Sequence, residues 1–151
     1  MSNYLKKWIA LSGKHKLIIC RLWCSFIVWH WVIAYVPFRF WKHHITDISN
    51  QLADVPPPEV RQLIKLSESV GRHHFIKTNC LRRSMVQKSL LDRMGIRCKL
   101  IIGVKKSHHS LAAHCWLTYQ NQIINDSQDN TNEYIALERI DINTKNIFKL
   151  F

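Results

Sequence analysis

The chain has 151 residues, of which 47% are hydrophobic and 21% charged. This length fits one modest domain, and the apolar content is enough for a core, which excludes a wholly disordered protein. The formal net charge of +12 attracts nucleic acid, anionic lipid or an acidic polypeptide, but it says little about the fold.

The cysteines indicate a reducing environment. They number five, an odd count, and their spacing is irregular: Cys20, Cys24, Cys80, Cys98 and Cys115. No second ligand pair follows Cys20 and Cys24 at zinc-finger spacing, and the apolar content makes a disulfide framework unnecessary. We therefore predict a cytoplasmic protein with neither a metal site nor a cofactor.

Residues 1–50 form a basic, tryptophan-rich segment that we predict to be helical. The run Leu22–Phe38 has 17 residues without Lys, Arg, Asp or Glu, whereas a transmembrane helix usually needs about 20 apolar residues. Three interpretations remain open. The segment packs on the protein's own core or on a partner, it makes peripheral contact with the inner membrane face through residues 17–41, or it spans the membrane.

Three consecutive prolines, Pro56 to Pro58, mark a boundary. Prolines break a helix interior, but the last of them suits the first turn of a new helix. Apolar residues recur at helical intervals from Glu59 to Val70, and Gly71 is a suitable stop. We therefore predict two units, the N-terminal segment 1–50 and a catalytic domain 56–151.

A second helix is predicted from Leu81 to Met94, with Cys80 at its N-terminus. The free N–H groups and the helix dipole lower the pKa of a thiol placed there, and the thiolate is the nucleophilic form. The same N–H groups suit an oxyanion, so the backbone of Cys80 and, as a second candidate, Asn79 are the predicted oxyanion donors. The alternative is that Cys80 is simply a small buried side chain.

The following residues predict a hairpin. In chain order we predict a strand, a loop, a strand and a turn at Ile96–Val104, Lys105–Ser110, Leu111–Tyr119 and Gln120–Gln122. Pairing across the turn places His114 within about two residues of Asp126. A further strand is predicted near Tyr134–Ile140. The fold class is therefore α+β, with the helix bearing Cys80 packed on an antiparallel sheet.

Cysteine, histidine and aspartate in this arrangement are typical of nucleophilic catalysis. The imidazole holds the thiol proton, and the carboxylate fixes the imidazole tautomer and stabilises its charged form. Each residue also has a structural alternative: His114 as a hydrogen-bonded structural histidine, and Asp126 as a cap of the turn Asn125–Ser127.

An ordered series of motifs resembles the transglutaminase-like leader peptidases of bacterial lasso-peptide biosynthesis. The motifs are Pro37–Trp41, Cys80–Ser84, Leu90–Leu91, Gly95–Ile96, Ile102–Val104, Ala113–Trp116, Asn125–Ser127 and Leu137–Ile140. The resemblance implies a papain/transglutaminase-type cysteine endopeptidase that removes the N-terminal leader of a ribosomally made precursor peptide. It implies Cys80 as nucleophile, His114 as general base and then acid, and Asp126 as the residue that orients His114. Between His114 and Trp116 this chain has Cys115, where members of that family more often have alanine.

The resemblance also implies partners. The chain before Cys80 is too short for a fused recognition domain, so we expect a separate leader-recognition protein, with a lasso cyclase completing the product. The tryptophans of residues 1–50 are candidate anchors for docking that protein. The alternative function is a basic nucleic-acid- or membrane-surface-binding protein without catalysis. Since no nucleic-acid-binding signature is present, we expect no specific nucleic-acid partner.

Overall fold

The computed structural model describes residues 12–46, 58–107 and 110–137. Its helices are α1 (Gly13–Tyr35), α2 (Phe38–Trp41), α3 (His43–Thr46), α4 (Pro58–Arg72), α5 (Cys80–Arg93) and α6 (Gln128–Asn132). Its strands are β1 (Lys99–Ser107), β2 (Ser110–Tyr119), β3 (Gln122–Ile123) and β4 (Ile135–Ala136). The strands form one antiparallel sheet in the order β3-β2-β1-β4. The predicted α+β class is confirmed.

Helix α5 is the central helix of the fold. The side chain of Asn79 caps it by accepting a hydrogen bond from the Arg82 N–H at 2.9 Å, as short polar residues do at helix N-termini. Leu81 and Met85 lie on the face turned towards the core and are fully buried. After the helix, Gly95 takes a positive φ of 77°, which glycine adopts without strain. Cys80 is therefore the first residue of α5.

Helix α1 packs against α4 and α5. Leu22, Phe26 and Trp29 lie on one face of it and belong to the same hydrophobic core as α4 and α5. The ring of Phe26 covers Gly71, where an added Cβ would lie 3.0 Å from the ring. One face of the tryptophan-rich segment therefore packs on the protein's own core. The division into units 1–50 and 56–151 stays a prediction.

By length and composition alone, helix α1 could also cross a membrane. Its stretch His15–Tyr35 has a mean hydropathy of 1.8. Core helices of soluble proteins reach similar values, so this number does not distinguish the two. One face of α1 packs into the core. For that face, this favours the interpretation that the segment packs on the protein itself.

Strand β1 has the predicted length of nine residues but lies three residues further along the chain, at Lys99–Ser107 instead of the predicted 96–104. Residues 105–107, predicted to begin a loop, continue the strand and pair with residues 110–112 of β2. The predicted loop Lys105–Ser110 was therefore wrong at residues 105–107 and at residue 110, which belong to strands. Backbone pairing extends the hairpin whatever the side chains, and an antiparallel sheet tolerates polar residues such as Lys106 on its solvent face. Residues 108 and 109 lie outside the described part of the chain.

The turn between β2 and β3 is a tight two-residue turn. Gln120 and Asn121 both have positive φ, 50° and 63°, as a type I′ hairpin turn requires. The ladder beyond it has two pairs, Thr118 with Ile123 and Tyr119 with Gln122. The predicted hairpin is thus present. The predicted strand near Tyr134–Ile140 is present as β4, and its last three residues lie outside the described residues.

Candidate active site

Cys80 lies where the N-terminus of α5 meets strand β2. It is partly buried, and His114 and Cys115 of β2 line the same cavity. The cavity measures about 10 Å³, roughly the room that one water molecule needs. The site is therefore a small depression at a helix N-terminus, close to the backbone N–H groups that have no partner within the helix.

His114 and Asp126 are joined by a short hydrogen bond between Nε2 and Oδ2. Both side chains are largely shielded, with 15% and 18% of their surface exposed, so solvent competes little for the bond. Because Nε2 is engaged by the carboxylate, Nδ1 is the ring nitrogen left to face Cys80. The structure thus brings the three predicted catalytic residues together in one chain of contacts.

Asp126 is held in place by two further donors. The Asn130 Nδ2 lies 3.0 Å from Oδ1, and the backbone N–H of Ser127 donates to the same oxygen at 2.8 Å. Burial raises the pKa of Asp126, but the bonds from Asn130, His114 and Ser127 outweigh burial and hold the pKa below its ordinary value. The carboxylate therefore stays charged beside the imidazole.

The role of Asn130 was not predicted from the sequence. The available signal was its i, i+4 spacing from Asp126, which places two residues on the same side of a helical turn. That spacing becomes informative only once helix α6 is known to begin immediately after Asp126, with Ser127 as its N-cap.

Cys80 and His114 shift each other's pKa in opposite directions. A hydrogen bond from the Cys115 thiol is the largest influence on Cys80. Together with His114 it overcomes the cost of burial and lowers the Cys80 pKa to about 4. The hydrogen bond with Cys80, and then that with Asp126, raise the pKa of His114 above its ordinary value although burial opposes this. At neutral pH the Cys80 thiol is therefore ionised.

Cys115 contributes as a neutral donor. Its side chain is buried, and burial, followed by the neighbouring Cys80 thiolate, raises the Cys115 pKa well above its ordinary value. One of the two neighbouring thiols is thus ionised while the other keeps its proton. The sequence places Cys115 beside His114 but does not indicate that it contacts Cys80.

Two aromatic rings lie close to the imidazole of His114. The rings of Tyr134 and Trp116 have centroids 5.1 Å and 6.0 Å from the imidazole. Gly103 pairs with His114 across the sheet, and a Cβ there would lie 2.8 Å from both the Trp116 ring and the Tyr134 Cβ. The rings can approach only because residue 103 has no side chain.

We expect Gly103→Ala to lower the rate of Cys80 alkylation by iodoacetamide at pH 6 at least about tenfold. The added methyl group displaces the rings and moves His114, and small misplacements of reacting groups have large kinetic effects. Gly13→Ala is the matched control, since nothing lies within 4 Å of its Cβ. An alkylation rate in Gly103→Ala equal to that of the control would contradict this expectation.

The other candidates have different surroundings. Asn79 caps α5 through its side chain, and its backbone role at the oxyanion stays a prediction. His74, which follows helix α4, is buried and stacks on Phe75 with centroids 4.6 Å apart. Among residues 12–46, 58–107 and 110–137, no cluster of three or more His, Cys, Asp or Glu side chains is placed to hold a metal ion.

Comparison with known protein families assigns the chain to one of them by a match over most of its length. A family model described as "Transglutaminase-like superfamily" matches residues 25–139. The match begins inside helix α1 and includes Cys80, His114 and Asp126. No curated protein and no solved structure matches the chain.

Proposed function

The chain belongs to the transglutaminase-like superfamily, and from that premise we propose that it is a cysteine peptidase with Cys80 as its nucleophile. The observation that carries the proposal is the contact chain from Cys80 through His114 to Asp126, in which the thiol is acidified to a pKa of about 4. Acidified thiols beside an oriented imidazole are typical of catalytic nucleophiles.

The geometry supports a two-step hydrolysis. The Cys80 thiolate attacks the scissile carbonyl carbon, and the oxyanion that forms lies near the free N–H groups at the α5 N-terminus. His114 then gives its proton to the leaving amine as the C–N bond breaks, which leaves a thioester on Cys80. Next, His114 takes a proton from a water molecule, the resulting hydroxide attacks the thioester, and the thiolate is released. Asp126 keeps the ring oriented throughout.

We further propose that the substrate is the leader–core junction of a lasso precursor peptide. The ordered motif series around Cys80, His114 and Asp126 supports this. The small depression at Cys80 also fits an extended polypeptide positioned by other contacts, since the cavity cannot enclose a side chain. A separate leader-recognition protein would supply those contacts, and a lasso cyclase would use the released core, all in the cytoplasm.

Incubating the protein with a candidate precursor, with and without a leader-recognition protein, tests the proposal. We expect two fragments whose summed mass exceeds that of the precursor by one water, and a much faster reaction when the recognition protein is present. Fragments joined to an added amine without water would instead indicate acyl transfer from the same thioester. An intact precursor under both conditions would contradict peptidase activity on this substrate.

A second proposal concerns membrane contact through residues 17–41. Along the outer face of α1, Leu17, Val28, Trp31 and Tyr35 are each more than half exposed. The described residues 12–46 include no Asp or Glu, so the face is apolar and basic, which suits an anionic bilayer surface. We expect the protein to float with anionic vesicles and not with zwitterionic ones. Protein that stays wholly in the soluble fraction would remove this proposal.

A further inference from the structure

A cluster of polar side chains interrupts the apolar packing between helix α5 and strand β2. Ser84 and Gln87 of α5 are each only 1% exposed, and a buried polar group destabilises a fold unless it is hydrogen-bonded. Both side chains meet the amide of Asn125, the residue that precedes Asp126.

The amide of Asn125 bonds to two elements at once. Its Nδ2 donates to Gln87 Oε1 at 2.7 Å and to Ser84 Oγ at 3.1 Å, which ties it to α5. Its Oδ1 accepts from the backbone N–H of Leu117 at 2.7 Å, which ties it to β2. The Nδ2 group and the Oδ1 atom of Asn125 thus both have hydrogen-bond partners. A buried amide that is fully hydrogen-bonded in this way can fix the relative position of the elements it joins.

The bond to Leu117 also explains how Asp126 reaches His114. The β2–β3 ladder ends at the pair Thr118 and Ile123, and Leu117 then receives one more backbone bond, from the Ile124 N–H at 3.0 Å. The Asn125 side chain satisfies the remaining Leu117 N–H, so no backbone carbonyl is needed there. The chain can therefore leave the sheet at this point, and the next residue, Asp126, faces the imidazole.

The contacts on α5 lie on the same side of the helix as the nucleophile. Cys80, Ser84 and Gln87 are spaced i, i+4 and i+7, which places them in one row. Two members of the row make further bonds. Ser84 Oγ donates to the Cys115 carbonyl of β2 at 3.4 Å, and Gln87 donates to Glu68 of α4 at 3.3 Å. A shift of α5 along β2 would break its bonds to Asn125 and to the Cys115 carbonyl.

We propose that Asn125 is a positioning residue whose amide fixes helix α5 and the Asp126 segment to strand β2, and so sets the distance from Cys80 to His114. The inference rests on the proposed function, because it takes Cys80, His114 and Asp126 as the reacting set. Removing the amide lets the helix and strand slide apart, and the hydrogen bonds that stabilise the Cys80 thiolate lengthen.

The pH dependence of Cys80 alkylation reports on this distance without any peptide substrate. The charged or titratable groups that line the site with Cys80 are Glu68, Arg83, His114, Cys115 and Asp126. Asn125→Ala changes none of them. A shift in the alkylation midpoint therefore measures altered geometry rather than an altered set of charges.

The test uses the full chain with Cys20→Ser and Cys24→Ser, because both of these thiols are exposed and would react. Iodoacetamide labelling of Cys80 is followed by mass spectrometry from pH 3 to 9, beside thermal unfolding. Without further change we expect a midpoint near pH 4. Asn125→Ala should raise it by at least about one pH unit, which lowers labelling at pH 4 several-fold.

Two further variants sharpen the result. Asn132→Ala removes an exposed amide of α6 that bonds only to Gln128 in the described contacts, and we expect it to leave the midpoint unchanged. Gln87→Met keeps the side-chain size but removes the acceptor for Asn125, so we expect it to raise the midpoint in the same direction, less than Asn125→Ala does.

The outcomes separate this inference from the proposed function. An unchanged midpoint in cooperatively folded Asn125→Ala overturns the positioning role, while the acidic midpoint of the parent protein leaves the proposed function standing. If Asn125→Ala does not fold, the midpoint of Gln87→Met decides instead, and an unchanged midpoint in that variant overturns the positioning role. A parent midpoint near that of an ordinary thiol would instead overturn the proposed function, and this inference with it.

Discussion

Cys80→Ala is expected to abolish cleavage of the precursor peptide, with a loss of at least about 10⁴-fold in kcat. The variant removes the sulfur that forms the thioester in the proposed mechanism, and no other thiol is placed to replace it. Cys115 lies beside it, but burial and the neighbouring charge keep that thiol protonated. A water molecule at the site would lack the nucleophilicity of a thiolate.

The loss in Cys80→Ala should occur without unfolding. Cys80 is the first residue of α5, where the helix is capped by Asn79 rather than by the thiol. We expect a thermal midpoint within a few degrees of the parent and unchanged far-ultraviolet circular dichroism. Cys20→Ala, at an exposed position on α1, serves as the control and should cleave normally. Peptide cleavage by folded Cys80→Ala at the parent rate would exclude Cys80 as the nucleophile.

Asp126→Ala is expected to lower kcat by about 10³–10⁴-fold and to change the pH profile. In the parent, the Cys80 thiolate appears as the pH rises through about 4. The imidazolium of His114 is lost only as the pH rises above its ordinary pKa of 6.5. Activity that needs both charged forms therefore rises near pH 4 and falls on the alkaline side of 6.5.

The alkaline limb distinguishes Asp126 from a merely structural residue. Cys80 and then Asp126 raise the pKa of His114, so removing the carboxylate lowers that pKa and moves the falling limb to lower pH. Asp129→Ala removes the same charge from an exposed position on α6 and should leave both limbs in place. A residual activity in Asp126→Ala with an unshifted alkaline limb would show that the carboxylate does not act on His114.

The features that sequence reasoning predicts well are local ones. Helix α5 was predicted from Leu81 to Met94 and is found from Cys80 to Arg93, because its apolar stripe and its stop at Gly95 are encoded within the segment itself. The contact of His114 with Asp126 was predicted for the same reason. Both residues belong to one hairpin with a short turn, and the length of that turn fixes which residues meet.

The features that the sequence does not reveal depend on distant elements. The hydrogen bond from Cys115 to Cys80 requires α5 to be docked on β2 at one register, which no local pattern specifies. The bonds of Asn125 to Ser84 and Gln87 join positions about 40 residues apart. The inward packing of Phe26 could not be predicted either, since helix α1 is apolar on nearly all sides and its sequence does not distinguish the face that meets the core.

The division of the three residues between a hairpin and a separate helix has a consequence for folding order. His114 and Asp126 belong to contacts that close quickly, because few residues separate them. Cys80 joins them only when α5 docks across more than 30 residues of intervening chain. Until then its thiol has neither an imidazole partner nor the hydrogen bond from Cys115 that lowers its pKa. We therefore expect Cys80 of the emerging chain to lack its enhanced reactivity, and expect that reactivity to appear only when α5 docks on the sheet, as a property of the native state.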